Sequence, residues 1–425
     1  MPGIESERCW LQHLVTEAET APPPAPERLL SPAFVVIVAS ASAYFVSLAM
    51  HLPVLPRYVS DDLDGNGFQV GLAVGAFAVS AALVRPAIGR LGDRVGRRPL
   101  AVVGALVAGL SIVAYGLVSS IVFLVALRLV TGLGEAAYFV GAATAAQDLS
   151  PPHRRGEAAS YFSIAIYSGL AVGPFLGETL YRSGGAGLVW MVSAAMALVA
   201  SAAALGIPGH LGRRVGELVE GGTRRFLHPA AVMPGSVLLL GLMGFTGFTA
   251  FLALYLEGQG IDDAGPFFLL YGITVLVVRI FGARLPDRLG PVRAATLALT
   301  GIALGTAIVA VGSAAPVFYA ATFVLSLGMA LLYPSLFILA VERAPDHERS
   351  HAVATFSLFF DLSQGLGAPV LGVFVMLAGT DRAAFVVGAL IALTGIVLAR
   401  LRLPRLGAEG ALASAQSSDP EPVVD

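Results

Sequence analysis

Apolar residues in this chain neither alternate nor recur every three or four positions. They come in unbroken blocks of about twenty, separated by short polar turns. A hydrocarbon core about 30 Å thick takes roughly 20 apolar residues to cross as a helix. Twelve blocks meet that length, six in each half of the chain: 33–55, 68–89, 99–118, 121–146, 158–181 and 187–206, then 232–256, 265–284, 292–312, 316–340, 352–377 and 382–402. The pattern predicts an all-α integral membrane protein with twelve transmembrane helices in two six-helix bundles. The expected divisions are a disordered cytoplasmic tail at 1–30, bundles at 31–206 and 231–403, a cytoplasmic linker at 207–230 and a second disordered tail at 404–425.

The second half repeats the first. A shift of 194 positions pairs Arg85, Arg90, Leu91, Asp93, Arg94 and Gly96 with Arg279, Arg284, Leu285, Asp287, Arg288 and Gly290. The same register pairs Val130, Leu133, Gly134 and Ala136 with Val324, Leu327, Gly328 and Ala330, and later Phe162, Ser163 and Gly173 with Phe356, Ser357 and Gly367. A duplicated membrane domain accounts for one register held over so long a stretch.

Composition agrees: hydrophobic residues make up 56% of the chain and charged residues 13%, about half the charge of a soluble domain. The net charge of −2 argues against a nucleic-acid partner. Every basic residue other than histidine is arginine, and the turns on one side collect them: Arg90, Arg94, Arg97 and Arg98, Arg154 and Arg155, Arg213 and Arg214. The opposite turns hold Asp61, Asp62, Asp64, Asp262 and Asp263 with Arg57, Arg182 and Arg382. Arginine-rich short loops stay in the cytoplasm, so a multi-pass protein of the inner (plasma) membrane with both termini cytoplasmic is expected. The lone Cys9 allows no intrachain disulfide, and residues 1–30 lack the basic and apolar regions of a cleavable signal.

The arginine-rich stretch Gly89–Pro99, Gly-Arg-Leu-Gly-Asp-Arg-Val-Gly-Arg-Arg-Pro, reads as a short, stiff hairpin between the second and third spans. Its Gly89, Leu91, Asp93, Arg94, Gly96, Arg97 and Arg98 resemble the signature hairpin of the major facilitator superfamily, and the resemblance covers roughly residues 31–403. It implies a transporter that works by rocking two halves. Asp93 would dock on the N-terminus of the eleventh helix around Ser350–Ala354, and Arg97 would join a relay with Asp148. Asp287 would make the mirror contact near Glu157.

Charges inside membrane spans are costly and default to functional candidates. Arg128 and Glu135 lie seven residues apart on one face of the fourth span, placed to meet through water or to face one cavity. With Gly132, Gly134, Ala136 and Ala137 they resemble the superfamily's fourth-helix motif, whose arginine is linked to proton coupling. Asp361 sits near mid-bilayer in the eleventh span, with Gln364 on the same face; it either carries protons, binds substrate or bonds between helices. Arg85 and Arg279 lie near enough to the cytoplasmic ends to snorkel and are expected to be structural. Glu178, at the outer end of the fifth span, is expected to be reached by water.

Gly169, Gly173, Pro174 and Gly177 resemble the fifth-helix motif of proton-coupled exporters, with Glu178 standing where a second glycine is common. Plain helix packing is the other reading of that run. Tyr44, Tyr138, Phe245 and Tyr333 are positional candidates for a cavity suited to an amphipathic small molecule. No P-loop, H-E-x-x-H or nucleophile elbow is present, so no enzyme activity and no cofactor are expected, and the proton gradient is the expected energy source. The expectation is a monomeric proton-driven exporter of an amphipathic drug or metabolite, with proton-coupled nutrient uptake as the alternative.

Overall fold

The structure, a computed structural model, describes residues 29–151, 154–209, 211, 227–282, 284–344 and 348–417. Nearly all of the expected amino-terminal tail and most of the linker lie outside these residues.

All the described elements are helical. In the first half, α1 (Pro32–Ala49) continues through α2 (His51–Arg57) into a π-turn at Tyr58–Asp62, and α3 (Gly67–Val95), α4 (Arg97–Val113), α5 (Ile121–Asp148) and α6 (Arg155–Ala204) follow. At 50 residues α6 would be about 75 Å long, far more than one crossing needs. It breaks at Gly184 (φ −156°, ψ 18°) and Gly185 (φ 71°, ψ −174°), so it crosses twice. The second half holds α7 (Pro229–Gly258), α8 (Gly265–Phe281), the short α9 (Leu285–Leu289), α10 (Pro291–Val311), α11 (Ala315–Val341), α12 (Arg349–Ala378) and α13 (Arg382–Ser417). Counting α1 with α2 as one crossing and α6 as two, the helices make twelve crossings. An even number leaves both ends of the described chain at one end of the bundle, here the tail end, opposite the far end.

Local sequence sets where the helices start. Ser31 caps α1 ahead of Pro32, Asn66 and Gln69 form a reciprocal capping box on α3, and Ser120 caps α5. The Gly89–Pro99 hairpin differs from its sequence reading. α3 stays helical through Gly89 and Gly92 to Val95, and the reversal is made by Gly96 alone, at φ 94° and ψ 169°. Two glycines cost an otherwise good helix about 1 kcal/mol each, too little to break it, whereas a positive φ with extended ψ excludes side chains. The repeat mate Gly290 turns the same way, at φ 80° and ψ 138°. The other difference is at the carboxy terminus: α13 stays helical to Ser417, past the expected end near Leu403. Its extension carries four Ala and two Leu, strong helix formers.

Large apolar side chains such as Leu83, Leu117, Val122, Phe281 and Leu377 point outward and are exposed, as a lipid-facing surface requires. Serine, threonine, arginine and carboxylate side chains are found inside. The two halves meet along α3 with α12 and α6 with α8. Glycine makes these seams tight: any side chain at Gly71 or Gly75 would run into the Ala368 or Gly365 carbonyl, and one at Gly272 into Ala171.

Candidate functional site

Arg85 lies on α3 about 15 Å from its tail-end terminus, and Asp361 on α12 about 18 Å from its own. Across the seam, Arg85 Nη1 donates to both Asp361 oxygens at 2.8 Å. Its Nη2 donates to Glu135 Oε2 at 3.1 Å, on α5 of the same half. The Phe139 ring lies 5.1 Å from the guanidinium carbon. Glu135 and Asp361 are both buried. One cation therefore holds two carboxylates, one from its own half and one from the other. The snorkelling expected of Arg85 does not occur, because acids within reach bind it more strongly than water at the membrane surface can.

Arg279, the repeat mate of Arg85, reaches the other seam. There it meets Tyr167 of α6, whose ring lies 3.8 Å from the guanidinium carbon. Tyr167 is the repeat mate of Asp361, since both pairs differ by 194 positions. The two-fold relation between the halves thus pairs Arg85 with Asp361 on one seam and Arg279 with Tyr167 on the other. Glu135 has Met329 as its mate, so no acid flanks Arg279 from that position either.

A third arginine closes the far end. Arg57 of α2 is bonded through Nη1 to both oxygens of Glu178 on α6, at 2.8 and 2.7 Å, and through Nε to Glu257 on α7 at 2.9 Å. The side chains of Arg57 and Glu178 are 3% and 1% exposed, and that of Glu257 is 50% exposed. Contrary to its sequence reading, Glu178 is sealed from water, because a partner that only the fold brings near covers it. Glu178 occupies the place where the fifth-helix motif often has glycine.

The other sequence candidates fall elsewhere. Arg128 turns from Glu135 and donates to the Ala73 and Val74 carbonyls at 2.9 and 3.1 Å, with Phe77 beside it at 4.5 Å. Gln364 is half-buried on α12. Tyr44 and Tyr138 stack at 3.9 Å and are fully buried, the Tyr138 hydroxyl meeting Ser40 at 2.8 Å. Phe245 is buried against Phe248 and Tyr271, and Tyr333 is half-buried among Phe337, Phe356 and Phe360. Arg97 Nε donates to Asp148 at 3.2 Å, while Glu157 pairs with Arg154 at 2.8 Å. The side chains of Asp93 and Asp287 lie outside the described residues, and with them the docking expected of each. Gly169, Gly173 and Gly177 bring α6 against Phe45, Ala49 and Met50 of the first crossing, and Pro174 lies within α6. A groove of about 450 Å³ at the α12–α13 turn, lined by residues including Phe374, Leu377 and Val386, holds none of the buried ion pairs.

Sequence reading missed the parts played by Arg57, Glu257, Arg85 and Arg279. For Arg85 and Arg279 a signal existed: they are the only coincident charged pair of the repeat that falls inside the apolar blocks.

Comparison with known proteins agrees with the fold. The chain is 29% identical over 371 residues to an uncharacterized MFS-type transporter of Salmonella typhimurium, covering 84% of this chain and 93% of that one. Among solved structures it resembles a peptide transporter POT in complex with sulfate, with a TM-score of 0.74, 16% identity and coverage of 90% and 97% of the two chains. It also resembles the nucleoside transporter NupG, with a TM-score of 0.72, 13% identity and coverage of 87% and 99%. The family model of the Major Facilitator Superfamily matches residues 37–368 and 267–425. Twelve crossings in two related halves, polar seams and a match along almost the whole described chain make this multi-pass membrane protein a member of the Major Facilitator Superfamily of transporters.

Proposed function

We propose that this transporter works as a monomer that exchanges protons for a small amphipathic molecule moved outward by alternating access, with Arg85, Glu135 and Asp361 as the coupling centre. The observation that carries this reading is the sharing of one arginine by two buried carboxylates from opposite halves. A proton taken up by Asp361 removes the charge that holds the cross-seam bridge, while Glu135 stays behind to neutralise Arg85. Protonation therefore uncouples the halves without stranding a buried cation. Arginine-rich turns at the tail end support cytoplasmic termini, and the glycine and proline run of α6 supports export.

The test is proton movement in everted vesicles energised to an acid interior and challenged with amphipathic antibiotics, dyes, sugars and amino acids. Dissipation by an amphipathic compound, lost in Asp361→Asn and Glu135→Gln, is expected. Silence to the amphipathic panel, with sugar or amino-acid uptake by intact cells instead, overturns export in favour of symport.

A further inference from the structure

The two seams are related by the repeat, yet their charges do not match. On one, Arg85 is held by Asp361 and Glu135, leaving one negative charge in excess when both are ionised. On the other, Arg279 has an aromatic ring where its mate has an acid, and among the described residues no carboxylate pairs with it. Its Nε is buried without a hydrogen-bond acceptor, as is that of Arg85, but where Arg85 has two carboxylates Arg279 has Tyr167, with its ring beneath the guanidinium and its phenol in hydrogen-bonding reach. A cation in the low dielectric of a membrane protein is not kept in that state without cost. The terminal nitrogens form a planar fork of donors that fits an oxyanion.

The surroundings add an apolar wall. Tyr333 of α11 is near enough to Tyr167, Arg279 and Asp361 to feel the charge of each. Phe356, Phe360 and Phe337 pack around Tyr333. Tyr271, on the same helix as Arg279, stacks on Phe245 at 5.1 Å.

We infer that Arg279 is the substrate-binding cation of this transporter, and that its substrates are small organic anions whose carboxylate, sulfonate or phosphonate group sits on Arg279 while an aromatic or apolar body lies against Tyr167 and Tyr333. The inference rests on the transporter reading above and adds the charge of the cargo to it. It also explains the asymmetry. An acid at position 167 would neutralise the arginine permanently, whereas a tyrosine supports the guanidinium on its ring face and adds no negative charge.

A matched panel tests this in everted vesicles, with protein-free vesicles subtracted: phenylacetate, benzenesulfonate and phenylphosphonate as anions, phenylacetamide and benzenesulfonamide as neutral analogues, and benzyltrimethylammonium as the cation. Ligand-induced shifts in melting temperature of the purified protein are measured with the same compounds. Anions are expected to raise the melting temperature and to be transported, with the neutral analogues and the cation at least tenfold weaker. Arg279→Gln is expected to weaken the anion response at least tenfold, and Arg279→Lys less. Tyr167→Asp recreates on this seam the pair that Arg85 and Asp361 already make on the other, so it should fold well and still lose the anion response. Anion responses kept within twofold in both Arg279→Gln and Tyr167→Asp overturn the inference, as does a panel in which the neutral or cationic compounds respond as strongly as the anions, or in which nothing responds. Proton coupling is scored separately. Anion binding that survives with no proton movement at any pH would sink the coupling reading and leave the anion site standing.

Discussion

Arg57 shows how much a buried charge depends on its partners. With Glu178 1% exposed beneath it, removing the guanidinium leaves a carboxylate with neither water nor a countercharge. Arg57→Gln should lower stability by about 3 to 5 kcal/mol, and Arg57→Gln combined with Glu178→Gln should recover most of that loss. Thermal unfolding of the detergent-purified variants measures both. Asp381, in the turn between α12 and α13, gives a pH signature. Burial pushes its carboxyl up to about 6 from an ordinary 3.8, so the folded protein holds this proton more tightly than the unfolded chain does. The stability from that proton is full below pH 4 and is lost as pH rises through about 6. Asp381→Asn should therefore raise the melting temperature more at pH 7.5 than at pH 4, with half-exposure keeping the effect small; an equal shift at both pH values would rule this account out.

At the scale of elements, apolar block length was nearly sufficient to read the fold. Helix number, the division into halves and the break in α6 between the fifth and sixth blocks all follow from it, because a bilayer accepts few alternatives to a helix of the right length. Turn geometry was less legible. Three glycines, Gly89, Gly92 and Gly96, crowd the first hairpin, and composition alone does not tell which one reverses the chain. The structure assigns that task to Gly96 and, by the repeat, to Gly290. Gly96→Ala and Gly290→Ala should each cost about 1 to 3 kcal/mol, whereas Gly89→Ala, with open space around the position, should be neutral or slightly stabilising. Melting temperatures of the three variants, compared side by side, check the assignment. Charge pairing was the least legible feature. Residues 85 and 361 are far apart in sequence, and nothing local marks them as neighbours, so Arg85 reads as a surface anchor until the halves are brought together.

For the whole molecule, the ion pairs follow one plan at two depths. Arg85 has Glu135 in its own half and Asp361 in the other; Arg57 has Glu178 in its own half and Glu257 in the other. At each depth an arginine of the first half keeps one acid permanently and reaches for a second across the divide. Asp361→Asn should loosen the deeper link alone, and Glu257→Gln the far-end link alone. Cysteines placed on either side of the far end should then become more reactive to an impermeant thiol reagent in Glu257→Gln and stay protected in Asp361→Asn.

The exposure of Glu257 has a mechanical consequence. When the far end parts, Arg57 and Glu178 travel together with the first half, and the links that break are those of Arg57 to the half-exposed Glu257 and to the Ala253 and Asp262 carbonyls, with the exposed Arg182–Asp263 pair beside them. With one partner half in water, the Glu257 bond holds less firmly than the fully buried Arg57–Glu178 pair. The strong pin of this door therefore never has to be drawn: opening leaves the buried Arg57–Glu178 pair intact and gives up only the outer bonds around it.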